Sequence, residues 1–157
     1  MTMHVRDFRE GDRSALIALW KACGLTRPWN DPHQDIDRAA QARDATILVG
    51  HIGGALAASV MAGHDGHRGW IYYLAVDPAH QGRGAGREIM EEAALWLASR
   101  GAPKLELMVR TGNQQAEGFY EALGVEREAV TVYSRWLKPA AGPFGPRGHS
   151  SRSDIDR

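Results

Sequence analysis

The stretch that most limits what this chain can fold into is IYYLAVDPAHQGRGAGR, residues 71–87. Ile71 to Val76 is an apolar, aromatic and β-branched run closed by the turn pair Asp77-Pro78, which reads as a strand and its exit. Gln81, Gly82, Arg83, Gly84, Ala85, Gly86 and Arg87 follow. From about Gly86 the spacing of Ile89, Met90, Ala93, Ala94 and Leu97 predicts a helix with one apolar face. A strand, a glycine loop and a helix start make an anion cradle. The first N–H groups of a helix are unpaired and carry the positive end of its dipole. Glycines let a phosphate approach that backbone, and Arg83 and Arg87 add full charge, so the expected ligand is a phosphate ester.

Two phosphate-binding motifs do not fit. A nucleotide P-loop needs Lys and then Ser or Thr after its last glycine, whereas Gly86 is followed by Arg87 and Glu88. A dinucleotide fingerprint begun at Gly82 would place its third glycine at Arg87. The remaining pattern, Gln81-x-x-Gly84-x-Gly86 after Leu74-Ala75-Val76-Asp77-Pro78, resembles the coenzyme A loop of the GNAT N-acetyltransferases. A second stretch strengthens the likeness. Lys104 to Val109 reads as a strand, and Asn113 then precedes a short helix carrying Phe119, Tyr120 and Leu123. Asn113 and Tyr120 lie two helical turns apart, so a ligand along that helix could meet both.

Composition fits a small enzyme. The 157 residues suffice for one domain burying roughly 70% of its unfolded surface. Lys plus Arg and Asp plus Glu number 19 each, which gives no support to a nucleic-acid or membrane-surface partner. The single cysteine, Cys23, excludes an intramolecular disulfide, and no apolar run reaches a membrane span. With no signal segment opening the sequence, the expected compartment is the cytoplasm.

Along the chain, Met3 to Phe8 reads as a first strand. Asp12 is expected to cap a helix with Leu16, Leu19, Trp20 and Cys23 on one stripe, stopped by Gly24. Cys23 is therefore expected to pack rather than to form an acetyl-cysteine. Asp31, Pro32 and Gln34 signal a second helix running to about Arg43, with a thin stripe of Ile36, Ala39 and Ala40. Thr46 to His51 and Ala55 to Gly63 read as a hairpin through Gly53-Gly54. His64, Asp65 and His67 are metal-ligand types, but no second cluster accompanies them, so no metal is expected. Arg100-Gly101-Ala102-Pro103 stops the long helix, Ala129 to Leu137 is the expected last strand, and 138–157 is a Pro/Gly/Ser/Arg-rich segment expected to be disordered.

Residues 1–137 as a whole resemble a GNAT domain. That implies an α/β fold of the α+β type, with a mixed, mostly antiparallel sheet splayed at the ligand strand and helices on both faces. Arg27 to Pro32, Asp65 to Gly69 and Tyr72-Tyr73-Leu74 look closest to the small bacterial YpeA-type branch. Val109-Arg110, Asn113, Ala116, Tyr120 and Gly124 are similar to the ribosomal-protein N-terminal acetyltransferases. The glutamate those enzymes use as a base aligns with Met108 here, and no carboxylate stands at Gly69, Trp70 or Ile71.

The resemblance implies acetyl-CoA as cosubstrate and an amine of a small molecule or of a peptide or protein N-terminus as acceptor. It makes Tyr120 the acid at the coenzyme sulfur. Asn113, the main chain of Leu74, Ala75 and Val76, and the loop Gln81 to Arg87 become coenzyme contacts. Trp29, Asn30, Asp65, His67 and Tyr72 fall on the acceptor side, with a hydrophobic staple for the second helix start as the alternative reading of Trp29. A neutral amine is the nucleophile, so a proton must be accepted; Glu106, Asp65, His67 or a water chain past Tyr72 are the candidates. A non-catalytic acyl-CoA-binding module is the alternative, and the chain is expected to be a monomer or a homodimer.

Overall fold

The computed structural model describes residues 2–138. Five strands form one sheet in the order β1 (Met3–Asp7), β2 (Ala45–Ile52), β3 (Ala55–His64), β4 (Gly69–Val76) and β5 (Leu105–Leu107). The first four are antiparallel neighbours, whereas β4 and β5 run parallel. The β2–β3 hairpin turns at Gly53 and Gly54, with φ of 59° and 82°, the two positive values that a type I′ turn demands.

Helices cover both faces. On one, α3 (Ala85–Ser99) buries Ala85, Ile89, Met90, Ala93 and Leu97 against Ala58, Val60, Ala62 and Ile71 of the sheet. On the other, α1 (Arg13–Ala22) and α2 (Pro32–Gln41) bury Leu16, Ile17, Leu19, Trp20 and Ile36 against Ile47, Val49 and Ala75. Small residues along β3 let Trp20 come close, and its indole, fully buried, donates to Ser59 Oγ at 3.0 Å.

Some local expectations change in three dimensions. Asp12 stands before α1 but its carboxylate makes no cap bond. It reaches back to the backbone N–H of Arg9 at 2.8 Å and accepts two bonds from Arg6, because a 3-10 turn, Glu10–Asp12, precedes the helix. Asp31 caps α2 as expected, through the N–H of His33 at 2.9 Å. α2 stops at Gln41 rather than Arg43, and Ala40 is exposed.

β5 is three residues long where six were expected. It pairs with β4 only over Gly69↔Leu105, Trp70↔Glu106 and Ile71↔Leu107, after which the strands splay apart. The strand expected over Ala129–Leu137 does not form. Residues 126–138 are all exposed, and no ladder among the described residues includes them, because a β-rich segment becomes a strand only beside an edge. Apart from Lys138, the segment expected to be disordered lies outside the described residues.

The ligand strand is bent at one point. Ser59 pairs with Ala75 and Met61 with Tyr72, so Val60 alone faces Tyr73 and Leu74: a β-bulge. Tyr73 is held at φ 51°, the one non-glycine positive value among the described residues. Its ring stacks on Trp20 with centroids 3.7 Å apart, and its carbonyl accepts the Ser59 hydroxyl at 2.9 Å. Ser59→Ala would leave a buried indole N–H and a bulge carbonyl unpaired. The expected loss is about 2–4 kcal/mol of unfolding free energy, read from urea midpoints at unchanged slope. A loss under about 0.5 kcal/mol would show that this bond does not hold the bulge.

Candidate active site

The splay opens the site. Beyond Ile71, no strand among the described residues pairs with the side of β4 that faced β5, so the backbone of Leu74 to Val76 borders a gap. The gap continues as a groove of about 460 Å³ that reaches the glycine loop and α4 (Gln114–Ala122). Leu74, Ala75, Val76, Gln81, Gly82, Gly84, Ala85, Gly86, Arg87, Asn113 and Tyr120 all line it. Two stretches of sequence separated by a whole helix and strand therefore meet along one surface. Arg83 belongs to the same loop but does not line the groove.

The loop's geometry follows from its residues. Gly82 and Gly84 have φ of 77° and 85°, in the left-handed region that other side chains avoid. Gly84 is the N-cap of α3 and no side chain caps that end, which leaves the first-turn N–H groups open to the groove. Gly86 is small for another reason: an added Cβ would sit 3.0 Å from Cζ of Phe119, so α3 and α4 could not pack this closely. Gln81 Nε2 donates to the Val76 carbonyl at 3.1 Å and ties the loop to the strand.

Asn113 is the N-cap of α4, its Oδ1 accepting the N–H of Ala116 at 3.1 Å. That bond fixes the side chain at the groove wall and leaves its amide N–H₂ to donate. Two turns on, the Tyr120 ring packs on the α3-side core and edge-on to Phe119. Burial pushes its hydroxyl up to about 12, so it stays protonated through the neutral range and can act as an acid. Cys23 also reaches this groove, its thiol donating to the Val76 carbonyl at 3.2 Å. Burial raises its pKa first, and the thiol form this favours is a poor nucleophile. Cys23 both packs on the α1–α2 side core and borders the groove.

The opposite face of the sheet carries the other group of expected site residues. Gly69 and Ile71 point to α3, and a Cβ on Gly69 would lie 2.8 Å from Leu97 Cδ1, so no carboxylate fits there. Alternation turns Trp70, Tyr72 and Glu106 to the α1–α2 side, and the bulge adds Tyr73 to that side. Trp29 and Asn30, in the α1–α2 connection, are half-buried, and the Arg110 guanidinium lies 5.7 Å from the centre of the Trp29 ring. Asp65 and His67 sit in the loop between β3 and β4, at the opposite end of β4 from the glycine loop. Both Asp65 oxygens are engaged: Oδ1 accepts the N–H of His67 and of Arg68, each at 2.8 Å, and Oδ2 accepts Trp70 Nε1 at 3.1 Å. Those backbone donors hold its pKa below the usual carboxylate value, and its charge, after burial, raises that of Tyr72. Glu106 pairs with Arg68 Nε at 3.4 Å.

Sequence reading passed over Tyr73, Arg110 and Asp35 as site residues. The Tyr73 hydroxyl donates to Asp35 Oδ2 at 2.5 Å and pins α2 to the ligand strand. Burial, then that carboxylate, raise its pKa. The only available signal was the Tyr72-Tyr73 pair breaking the strand's alternation.

The profile described as "Acetyltransferase (GNAT) family" matches residues 12–125, from just before α1 to just past α4. An acetyltransferase of Pectobacterium atrosepticum is 42% identical over 137 residues, 87% of this chain and 97% of the relative. The chain belongs to the GNAT acetyltransferase family. A second relative within it, an acetyltransferase of Yersinia enterocolitica, is 43% identical over 135 residues, 86% of this chain and 96% of its own. The GNAT fold is shared with the solved structure of AAC(6')-Iy in complex with a coenzyme A bisubstrate analogue, at a TM-score of 0.75 and 16% identity, covering 87% of this chain and all of that one. Glucosamine-6-phosphate N-acetyltransferase from Arabidopsis thaliana superposes at a TM-score of 0.67 and 20% identity, over 88% of this chain and all of that one. As a GNAT acetyltransferase the chain is an acyltransferase. The mixed, splayed sheet with helices on both faces is the architecture its residues resembled.

Proposed function

We propose that this GNAT acetyltransferase uses acetyl-CoA and moves the acetyl group directly to a primary amine of a small molecule or of a peptide or protein N-terminus. The observation that carries this reading is the groove shared by the glycine loop, the uncapped start of α3 and Tyr120. In this proposal the N–H groups of Gly82 to Arg87 donate to the pyrophosphate, with Arg83 and Arg87 adding charge. The backbone of Leu74 to Val76 on the splayed side of β4, apart from the Val76 carbonyl that Gln81 and Cys23 occupy, and the amide of Asn113 hold the pantetheine arm. The amine nitrogen attacks the thioester carbonyl, the carbon–sulfur bond breaks, and Tyr120 delivers its proton to the departing thiolate. No single residue takes the role of base. Asp65 and Glu106 are each tied to a partner, which supports proton removal through water past Tyr72.

The acceptor enters from the α1–α2 side in this reading, where Trp29, Asn30 and Tyr72 lie and where Asp65 and His67 border the far end. Aromatic faces and a carboxylate suit a cationic amine better than an apolar acceptor. The named activities of two structural neighbours, on an aminoglycoside and on glucosamine 6-phosphate, support a small amino-bearing acceptor. Thiol release from acetyl-CoA across aminoglycosides, amino sugars, polyamines and N-terminal peptides tests the proposal. Release with at least one amine and none without is the expected result, and a silent panel from a folded protein that binds acetyl-CoA would count against it. With the acceptor so found, Trp29→Ala and Asp65→Asn are expected to raise its KM roughly tenfold with the acetyl-CoA KM unchanged. If only the melting temperature moves, both residues are structural.

A further inference from the structure

Tyr73 is held from three directions. Its backbone lies at φ 51°, in the left-handed region that a bulky side chain avoids, so it stays there only because its surroundings compel it. The ring stacks on Trp20 of α1, and the carbonyl accepts the Ser59 hydroxyl of β3. Those two contacts would serve a phenylalanine equally. The third needs the phenol. The hydroxyl donates to Asp35 Oδ2 at 2.5 Å, and Asp35 Oδ1 accepts Arg38 Nη2 at 2.5 Å, so the carboxylate is braced within α2 before it meets the strand.

α2 has little else to place it. Its buried residues are Ile36 and Ala39, and Arg13 of α1 ties it through Asp37. The Tyr73–Asp35 bond is the one hydrogen bond between α2 and β4 among the described residues. Its two ends lead to opposite sides of the reaction. α2 begins two residues after Trp29 and Asn30, on the wall assigned to the acceptor. Tyr73 directly precedes Leu74, where the backbone lining the coenzyme groove begins. Neither Tyr73 nor Asp35 lines that groove, so each can act on the reaction only through another group.

We propose that Asp35 and Tyr73 are positioning residues for acetyl transfer: their hydrogen bond fixes the bulge, and with it the backbone from Leu74 onward, against the helix that carries the acceptor wall. The inference rests on the acetyl-transfer reading above and adds to it the pair that sets one reactant against the other. Attack on a thioester needs the two reacting atoms aligned and close, and a misplacement of about 1 Å costs up to about 10²-fold in rate. Losing the phenol hydroxyl leaves the stack on Trp20 intact and releases the strand from α2.

The test uses the panel amine that gives the fastest thiol release. Tyr73→Phe and Asp35→Leu are each expected to lower kcat roughly 10–10²-fold, with the acetyl-CoA dissociation constant within about threefold, because the glycine loop lies beyond the bulge. Asp35→Asn keeps an oxygen that can accept the phenol and should recover most of kcat. The double variant Tyr73→Phe with Asp35→Leu should be no slower than either single one, since both remove the same bond. Ile36→Val, which trims a fully buried residue of α2, should lower the melting temperature with kcat unchanged. A reading without acceptor uses acetyl-CoA isotope-labelled at its carbonyl and followed by NMR: the resonance of the bound coenzyme should differ between wild type and Tyr73→Phe. Wild-type kcat in Tyr73→Phe, or losses that multiply in the double variant, overturn the proposal. A fall in kcat that Ile36→Val reproduces makes the role one of stability and overturns it too. A wild type that releases no thiol with any amine overturns the acetyl-transfer reading instead, and an unchanged carbonyl resonance in Tyr73→Phe then counts against the positioning role by itself.

Discussion

Gly84→Val is expected to raise the dissociation constant for acetyl-CoA by roughly 10²–10⁴-fold. Among the described residues nothing lies within 4 Å of a Cβ placed at Gly84, so a valine there would project into the space that the proposed coenzyme needs at the open end of α3. Losing two charge-assisted hydrogen bonds from the backbone to pyrophosphate, each about 1.5–3 kcal/mol, accounts for that range. Valine is also strained at φ 85°, which costs on the order of 1–2 kcal/mol of stability. Gly84→Asn separates the two effects, because asparagine enters the left-handed region readily while still filling the space. Calorimetry should find both variants weak, with only the valine protein melting markedly lower. Wild-type affinity in a folded Gly84→Asn protein would remove the loop from the coenzyme site.

Tyr120→Phe is expected to lower kcat by roughly 10²-fold while leaving acetyl-CoA affinity within about twofold, since proton delivery to sulfur matters only in the transition state. The ring keeps its packing against Phe119 and the core, so the fold should not change. The pH profile adds an independent readout. With its hydroxyl held near 12, Tyr120 remains an acid while the acceptor amine loses its proton, so kcat/KM should climb with pH through the ordinary amine range. A fall attributable to tyrosine ionisation should not begin below about pH 10. An unchanged kcat in the phenylalanine variant would leave Tyr120 as packing, and the leaving thiolate would then need another donor.

Much of this protein was already written locally. The glycine spacing at 82, 84 and 86, the Asp31-Pro32 helix start and the Gly53-Gly54 turn each have a conformational reason confined to a few residues, so sequence determined them. The apolar stripes of α1 and α3 likewise announced their buried faces, because the helical period fixes which residues share a face. Pairing was not local. Whether Lys104 to Val109 stays a strand depends on how far β4 runs beside it, and the answer, three residues, comes from the splay that opens the site. The bulge at Tyr73 needs Trp20 and Ser59, from other elements, to hold a tyrosine at positive φ. Asp65 and His67 looked like free chemistry in sequence, yet the loop that contains Asp65 spends its oxygens on its own backbone and on Trp70. Residues 129–137 have every property of a strand except a neighbour, and only the tertiary structure shows that the neighbour is missing, since a hydrogen-bond ladder is a property of two segments and not of one.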